Sequence, residues 1–339
     1  MQNDLDLILK KIGIMLHIIK TIILTLLLTF FQNSTAQERT NPKNQDKELG
    51  KVSWYRDYND AIAASEKENK PILILFQEVP GCATCRNYGH NVLSSPLMTE
   101  AIENEFIPLA IFNNKKGKDL TILKKYNEPT WNNPVVRIVN KKGINLVKRV
   151  ASDYSAKGLY NAMISALKKE EKKIPEYVKI LGQELAINYN ALNIKETHYK
   201  MYCFWTGEKQ LGSQDGVLLT QAGFINGEVV KVKYDATKIS KEALNTFAKA
   251  NKMSPVNSKN KFKWAEKDED YYLQHSQLKF LPLSQVQKTK INSALGNRKS
   301  PLPYLSPKQK QWLTKVDAKK NEILFNKDFN IAWSKLLNS

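Results

Sequence analysis

The sequence predicts the α/β class, as α+β sandwiches in two successive regions, and three observations carry that expectation. The apolar run Ile72-Leu73-Ile74-Leu75-Phe76 is short and bulky enough for a buried parallel strand, and helical patterns flank it. Two strand-like segments, 216–224 and 228–235, surround Ile225-Asn226-Gly227 and read as a hairpin. The 339 residues leave room for two cores, at roughly 100 to 200 residues each.

The elements follow in order. Lys10, Lys11 and Lys20 precede or border the apolar run 21–31, and Ser34-Thr35-Ala36 puts small residues where a signal peptidase cuts. Residues 1–36 therefore read as a secretory signal, with Met15 as an alternative start. The run is shorter than the about 20 residues of a spanning helix, so the expectation is a soluble, exported protein, periplasmic or secreted. Residues 37–48, rich in Gln, Asn and Lys, read as a flexible leader. Tyr58, Ala61, Ile62 and Ala64 give 54–69 a helical pattern ahead of the 72–76 strand. Segments 106–112 and 133–139 read as further strands, 146–150 as a partner beside them, and 155–168 as a helix. A region 49–168 thus precedes an amphipathic connector, 169–196, expected as a hinge on which docking of the halves is optional. Region 197–275 opens with a strand at 199–202, a helix after Cys203, the hairpin and a helix at 239–250. The extension 276–339, with Leu278, Leu281, Leu283, Val286, Ile291, Leu295 and Trp333, is expected to pack over it.

Composition narrows the function. Lys and Arg total 52 against 33 Asp and Glu, a formal charge of +19. The excess is dispersed lysine with no nucleic-acid motif, which predicts a solvated surface and no nucleic-acid partner. Four histidines show no ligand spacing; His198 and His275 read as structural, and neither a metal nor another cofactor is expected.

The three cysteines point to sulfur redox chemistry at two places. Cys82-Ala83-Thr84-Cys85 follows a strand and opens a helix, whose unpaired N–H groups favour thiolate at Cys82 and leave Cys85 to resolve. Cys203 likewise stands where a strand gives way to a helix, with Phe204 and Trp205 next to it to wall an apolar pocket.

Around Val79-Pro80-Gly81-Cys82 the chain resembles the thioredoxin family, in the branch whose loop reads Val-Pro-Gly followed by Cys or selenocysteine, over about residues 50–168. The resemblance implies a thioredoxin-like fold in which Pro134 is a cis proline facing the pair and binding substrate. The loop departs from the family in lacking Trp-Cys-Gly-Pro.

Cys-Phe-Trp-x-x-Glu at 203–208, Gly-Val-x-x-Thr-x-x-Gly-Phe at 216–224, Glu-Val-Val-Lys-Val-Lys-Tyr-Asp at 228–235, and Ala265-Glu266 with Tyr272 resemble the A-type peptide methionine sulfoxide reductases. That likeness implies a ferredoxin-type α/β domain in which Cys203 attacks the sulfoxide sulfur, Glu228 protonates its oxygen and Tyr272 donates a hydrogen bond. Phe204 and Trp205 would hold the methyl group, and oxidised methionine in proteins or peptides would be the partner. The loop between Cys203 and Glu228 is shorter than the family's and lacks its second tyrosine, for which Tyr271 or Tyr202 could substitute. Lys267 and Glu269 replace an acidic residue and a histidine. No cysteine follows Cys203, so Cys82 and Cys85 are expected to recycle it, recharged by an exported thioredoxin or a membrane thiol transporter. The other function class is a thiol-disulfide exchange protein whose second region only binds oxidised clients.

Overall fold

The run Ile72–Gln77 (β1) is the middle strand of the first sheet, buried along its whole length. The structure is a computed structural model that describes Met15, Lys20 and residues 39–131, 134–256, 261–317 and 321–338; the expected signal segment otherwise lies outside the described residues. β1 pairs in parallel with Ile107–Phe112 (β2) and antiparallel with Val135–Val139 (β3). Single bridges extend the sheet on both sides, Tyr55 to Leu109 and Val150 to Val136. Side chains such as Ile72, Leu73, Ile74 and Phe76 are fully enclosed, each contributing about 1.5–3 kcal/mol by leaving water. Tyr58–Glu68 (α1), Ala83–Asn91 (α2), Pro96–Glu105 (α3), Lys118–Tyr126 (α4) and Ala156–Lys169 (α5) are the helices of this part. Glu128, its side chain 1% exposed, pairs with Arg137 of β3 and Arg149 at 2.7 Å each. That double pair ties 145–150 to β3.

Two expectations need correction here. The leader is packed from Thr40 onward: Thr40 N–H donates to the Trp54 carbonyl at 2.8 Å, and Lys47–Leu49 form a 3₁₀ turn whose Glu48 and Leu49 are buried. The connector is neither helical throughout nor a free hinge. Glu171 takes a left-handed φ of 53°, and Pro175 precedes a shorter helix, Glu176–Asn188 (α6), with Tyr177, Val178, Ile180 and Leu181 in the first core.

The second sheet is antiparallel. Ile194–Lys200 (β4), Val217–Phe224 (β5) and Glu228–Asp235 (β6) carry it, with short edges Ser254–Pro255 (β7) and Lys263–Trp264 (β8), in the order β7-β4-β6-β5-β8. The hairpin turns at Asn226 and Gly227, both at positive φ, as its sequence requires. Phe204–Gly212 (α7) packs on β5 and β6, Lys241–Ala250 (α8) follows the hairpin, and Tyr271–Gln274 (α9) is a single turn. The extension supplies Gln285–Gly296 (α10), Pro307–Leu313 (α11) and Phe329–Leu337 (α12).

The extension covers more than the second sheet. α10 packs on α7, β5 and α6, and α11 on α3. Thr40–Ser339 accordingly form one compact unit.

Candidate functional site

The first cysteine pair sits where β1 runs out. Cys82 is the N-cap of α2, exposed, while Cys85 is fully buried, and the two are not joined in a disulfide, with Sγ atoms 3.7 Å apart. The Cys85 N–H in the first turn of α2 points at Cys82 Sγ and, with smaller contributions from Thr84, holds that thiol below its ordinary value. Burial, followed by the Cys82 hydrogen bond, pushes Cys85 up to about 12. The pair is therefore divided into an accessible nucleophile and a protected resolving thiol.

The loop ahead of it is held at several points. Gly81 N–H donates to Glu48 Oε1 at 2.8 Å, Arg86 donates to the Gly81 carbonyl at 2.6 Å, and Asn114 Oδ1 accepts from Val79 N–H at 3.3 Å. Gly81 has no room for a side chain, since a Cβ there would lie 2.7 Å from the Cys85 Cβ. Glu48 was not legible as part of this site, because its leader segment reads as polar and unstructured. Pro134 is buried one step beyond the Phe76–Val135 pair, at the end of the sheet from which the Cys82 loop leaves. Its expected cis bond involves Asn133, which lies outside the described residues; Val79–Pro80 is the cis bond among those described.

The family model for thioredoxin-like proteins matches residues 53–147. Residues 53–147 are a thioredoxin-like domain. A solved structure titled DsbH oxidoreductase is 18% identical, with 37% of this chain and 90% of that chain covered and a TM-score of 0.30. A thioredoxin from Thermus thermophilus is 21% identical, with 35% and 89% covered and a TM-score of 0.30. No curated protein matches the chain. The thioredoxin-like domain, with its Cys82–Cys85 pair, supports a thiol redox role.

Cys203 belongs to the other sheet. It is the N-cap of α7 with its backbone extended, partly exposed and free. Glu228, the first residue of β6, reaches the same helix terminus: its Oε2 accepts the Phe204 N–H at 2.8 Å, and its carbonyl accepts from Met201 N–H at 3.1 Å. Thiol and carboxyl thus share one helix end.

Aromatic residues cluster next to Cys203 in the chain. Phe204 is buried and meets Trp205 and Phe224 edge-on at 6.1 and 5.7 Å. Trp205 stacks on Tyr271 at 4.1 Å and its Nε1 donates to the Asp268 carbonyl at 3.0 Å. Burial first, and then the neighbouring Cys203, raises the Tyr272 phenol, so this hydroxyl is a neutral donor at ordinary pH. Its ring is seated against Gly296 of α10, where a Cβ would come within 2.8 Å.

Cys203, Phe204, Trp205, Glu228 and Tyr272 are therefore brought together, while Cys82, Cys85 and Pro134 are gathered on the thioredoxin-like sheet. Of the substitutes for the missing tyrosine, Tyr271 is engaged in stacking and Tyr202 is 98% exposed. Sequence reasoning overlooked Glu208 and Asp270, both buried next to this site; Glu208 lies inside the Cys-Phe-Trp-x-x-Glu motif, and that was its only signal. Among the described residues no cluster of three or more metal-ligating side chains occurs, and no helix is long and apolar enough to cross a membrane.

Proposed function

We propose that the chain is an exported peptide-methionine (S)-S-oxide reductase whose thioredoxin-like domain recycles it. The observation that carries this reading is the Glu228 carboxyl docked on the N–H of Phe204, the residue next to Cys203. In the proposed step, Cys203 thiolate attacks the sulfoxide sulfur while a protonated Glu228, through Oε1, gives its proton to the oxygen. Oxygen moves to Cys203, which becomes a sulfenic acid, and the methionine thioether is released. Tyr272 donates a hydrogen bond to the same oxygen, and Phe204 and Trp205 receive the methyl group.

Recycling balances with the two remaining thiols. Cys82 attacks the sulfenic sulfur, water leaves, and a mixed disulfide forms. Cys85 then attacks Cys82, which frees Cys203 and closes the 82–85 disulfide. An external dithiol, from an exported thioredoxin or a membrane thiol transporter, must reopen it. The divided acidities of Cys82 and Cys85 suit that order.

The test is consumption of the S epimer of a methyl sulfoxide by the full chain with dithiothreitol. E228Q keeps an oxygen for the Phe204 N–H but removes the acid, and its turnover is expected to fall by about 10²–10⁴. Consumption by E228Q at the wild-type rate would remove Glu228 from the reaction. No consumption of either epimer, with disulfide reduction intact, would leave a thiol-disulfide exchange protein whose second region only binds clients.

A further inference from the structure

Glu208 and Asp270 are buried carboxyls to which the chemistry above gives no task. Glu208 lies on α7, five residues beyond Cys203, and is 0% exposed; Asp270 caps α9, just ahead of Tyr271 and Tyr272, and is 2% exposed. The Asp270 backbone N–H donates to Glu208 Oε2 at 3.2 Å, so the Glu208 carboxyl reaches the residue that opens α9. Glu208 Oε1 and Asp270 Oδ1 are both buried with no hydrogen-bond partner among the described residues.

Two adjacent carboxylates sealed from water cannot both stay ionised at modest cost. One proton between them turns repulsion into a charge-assisted O–H···O⁻ bond and satisfies both orphaned oxygens at once. We propose that Glu208 and Asp270 hold one proton in common and that this proton clamps the Tyr271–Tyr272 turn onto α7, positioning Tyr272 beside Cys203.

The surroundings favour that arrangement. Burial first, then Glu269, raises Asp270 to about 7, and burial followed by Asp270 raises Glu208 well above the usual carboxylate range. The charges facing the pair are Glu269 from the same loop and Lys288 from α10, with Tyr272 from α9. Lys288 lowers Asp270 by less than burial and Glu269 raise it. The rest of the turn hangs from the same junction: Leu273 N–H donates to Asn292 Oδ1 of α10 at 3.1 Å, and Trp205 stacks on Tyr271. Loss of the proton near neutrality leaves two neighbouring buried anions, and movement of α9 away from α7 relieves them.

The inference deepens the reading of the Cys203 site, but its readouts do not need sulfoxide reduction, so the two can fail separately. D270N suits the test, because Asn tolerates the left-handed backbone of residue 270 (φ 56°) and its amide donates to Glu208 without a titratable proton. On the acid side of neutrality, the infrared spectrum of the full wild-type chain is expected to show a protonated-carboxyl C=O stretch that D270N lacks. Hydrogen exchange at 270–275 is expected to lose protection in the wild type as pH rises through neutrality, and to stay protected in D270N. A carboxyl band undiminished in a folded D270N chain, or a loss of protection that survives the substitution, would overturn the shared proton.

Discussion

Cys82 and Cys85 are three positions apart, yet they behave as different reagents. The first turn of α2 points N–H groups at one sulfur, and the core closes over the other. Iodoacetamide at neutral pH is therefore expected to modify Cys82 and leave Cys85 intact, and in C82S the Cys85 thiol should stay slow, because burial is the first cause of its raised value. Mass spectrometry of the alkylated peptides checks this, and equal rates would contradict it. The residue pattern showed the pair and its helix, because two residues between cysteines at a strand end leave few other arrangements. It could not show Glu48, which reaches Gly81 from 33 positions upstream. At the other site, Glu228 is a carboxylate on a strand until the hairpin register brings the start of β6 to the end of β4, beside Cys203.

Elements with a clear period were legible and polar segments were not. The β5–β6 hairpin has apolar side chains on the core face and a turn at Asn226-Gly227, so its span follows from the sequence. The connector misleads because an amphipathic face does not tell which neighbour covers it. The packed leader was hidden for a related reason: its anchors are backbone groups and polar side chains, among them Thr40, Gln45 and Glu48. Gly89 of α2 makes that packing possible, since a Cβ there would lie 2.1 Å from the Lys47 carbonyl oxygen. G89A is expected to lose about 1–3 kcal/mol and to loosen the 47–49 turn that supports the Gly81 loop. Urea unfolding measures the first effect and faster alkylation of Cys85 the second; a variant as stable as wild type would place the turn elsewhere in solution.

Across the whole unit, carboxylates from the first region and the connector cap helices of the extension. Glu184 of α6 accepts the Val286 N–H at 2.7 Å, and Glu100 of α3 accepts the Lys308 N–H at 2.8 Å. Burial raises both above the ordinary carboxylate value. Groups raised on folding bind protons more tightly in the native chain, so their stabilising share is full below the unfolded value of about 4 and declines as pH rises through the native one. The unfolding free energy of E100Q/E184Q is expected to fall less steeply with rising pH than that of wild type, as urea titrations across that window would show. Identical slopes would mean that the two carboxyls do not titrate with folding.

The same unit joins two sulfur sites, and electron counting tests that union. The chain is reduced, freed of small thiols and mixed with excess methionine sulfoxide, and the methionine formed per chain is measured. With three cysteines in the reduced chain, the account predicts two methionines per wild-type chain, one for C82S/C85S and none for C203S. A single methionine from the wild type would contradict recycling by the thioredoxin-like domain, and none at all would contradict sulfoxide reduction at Cys203.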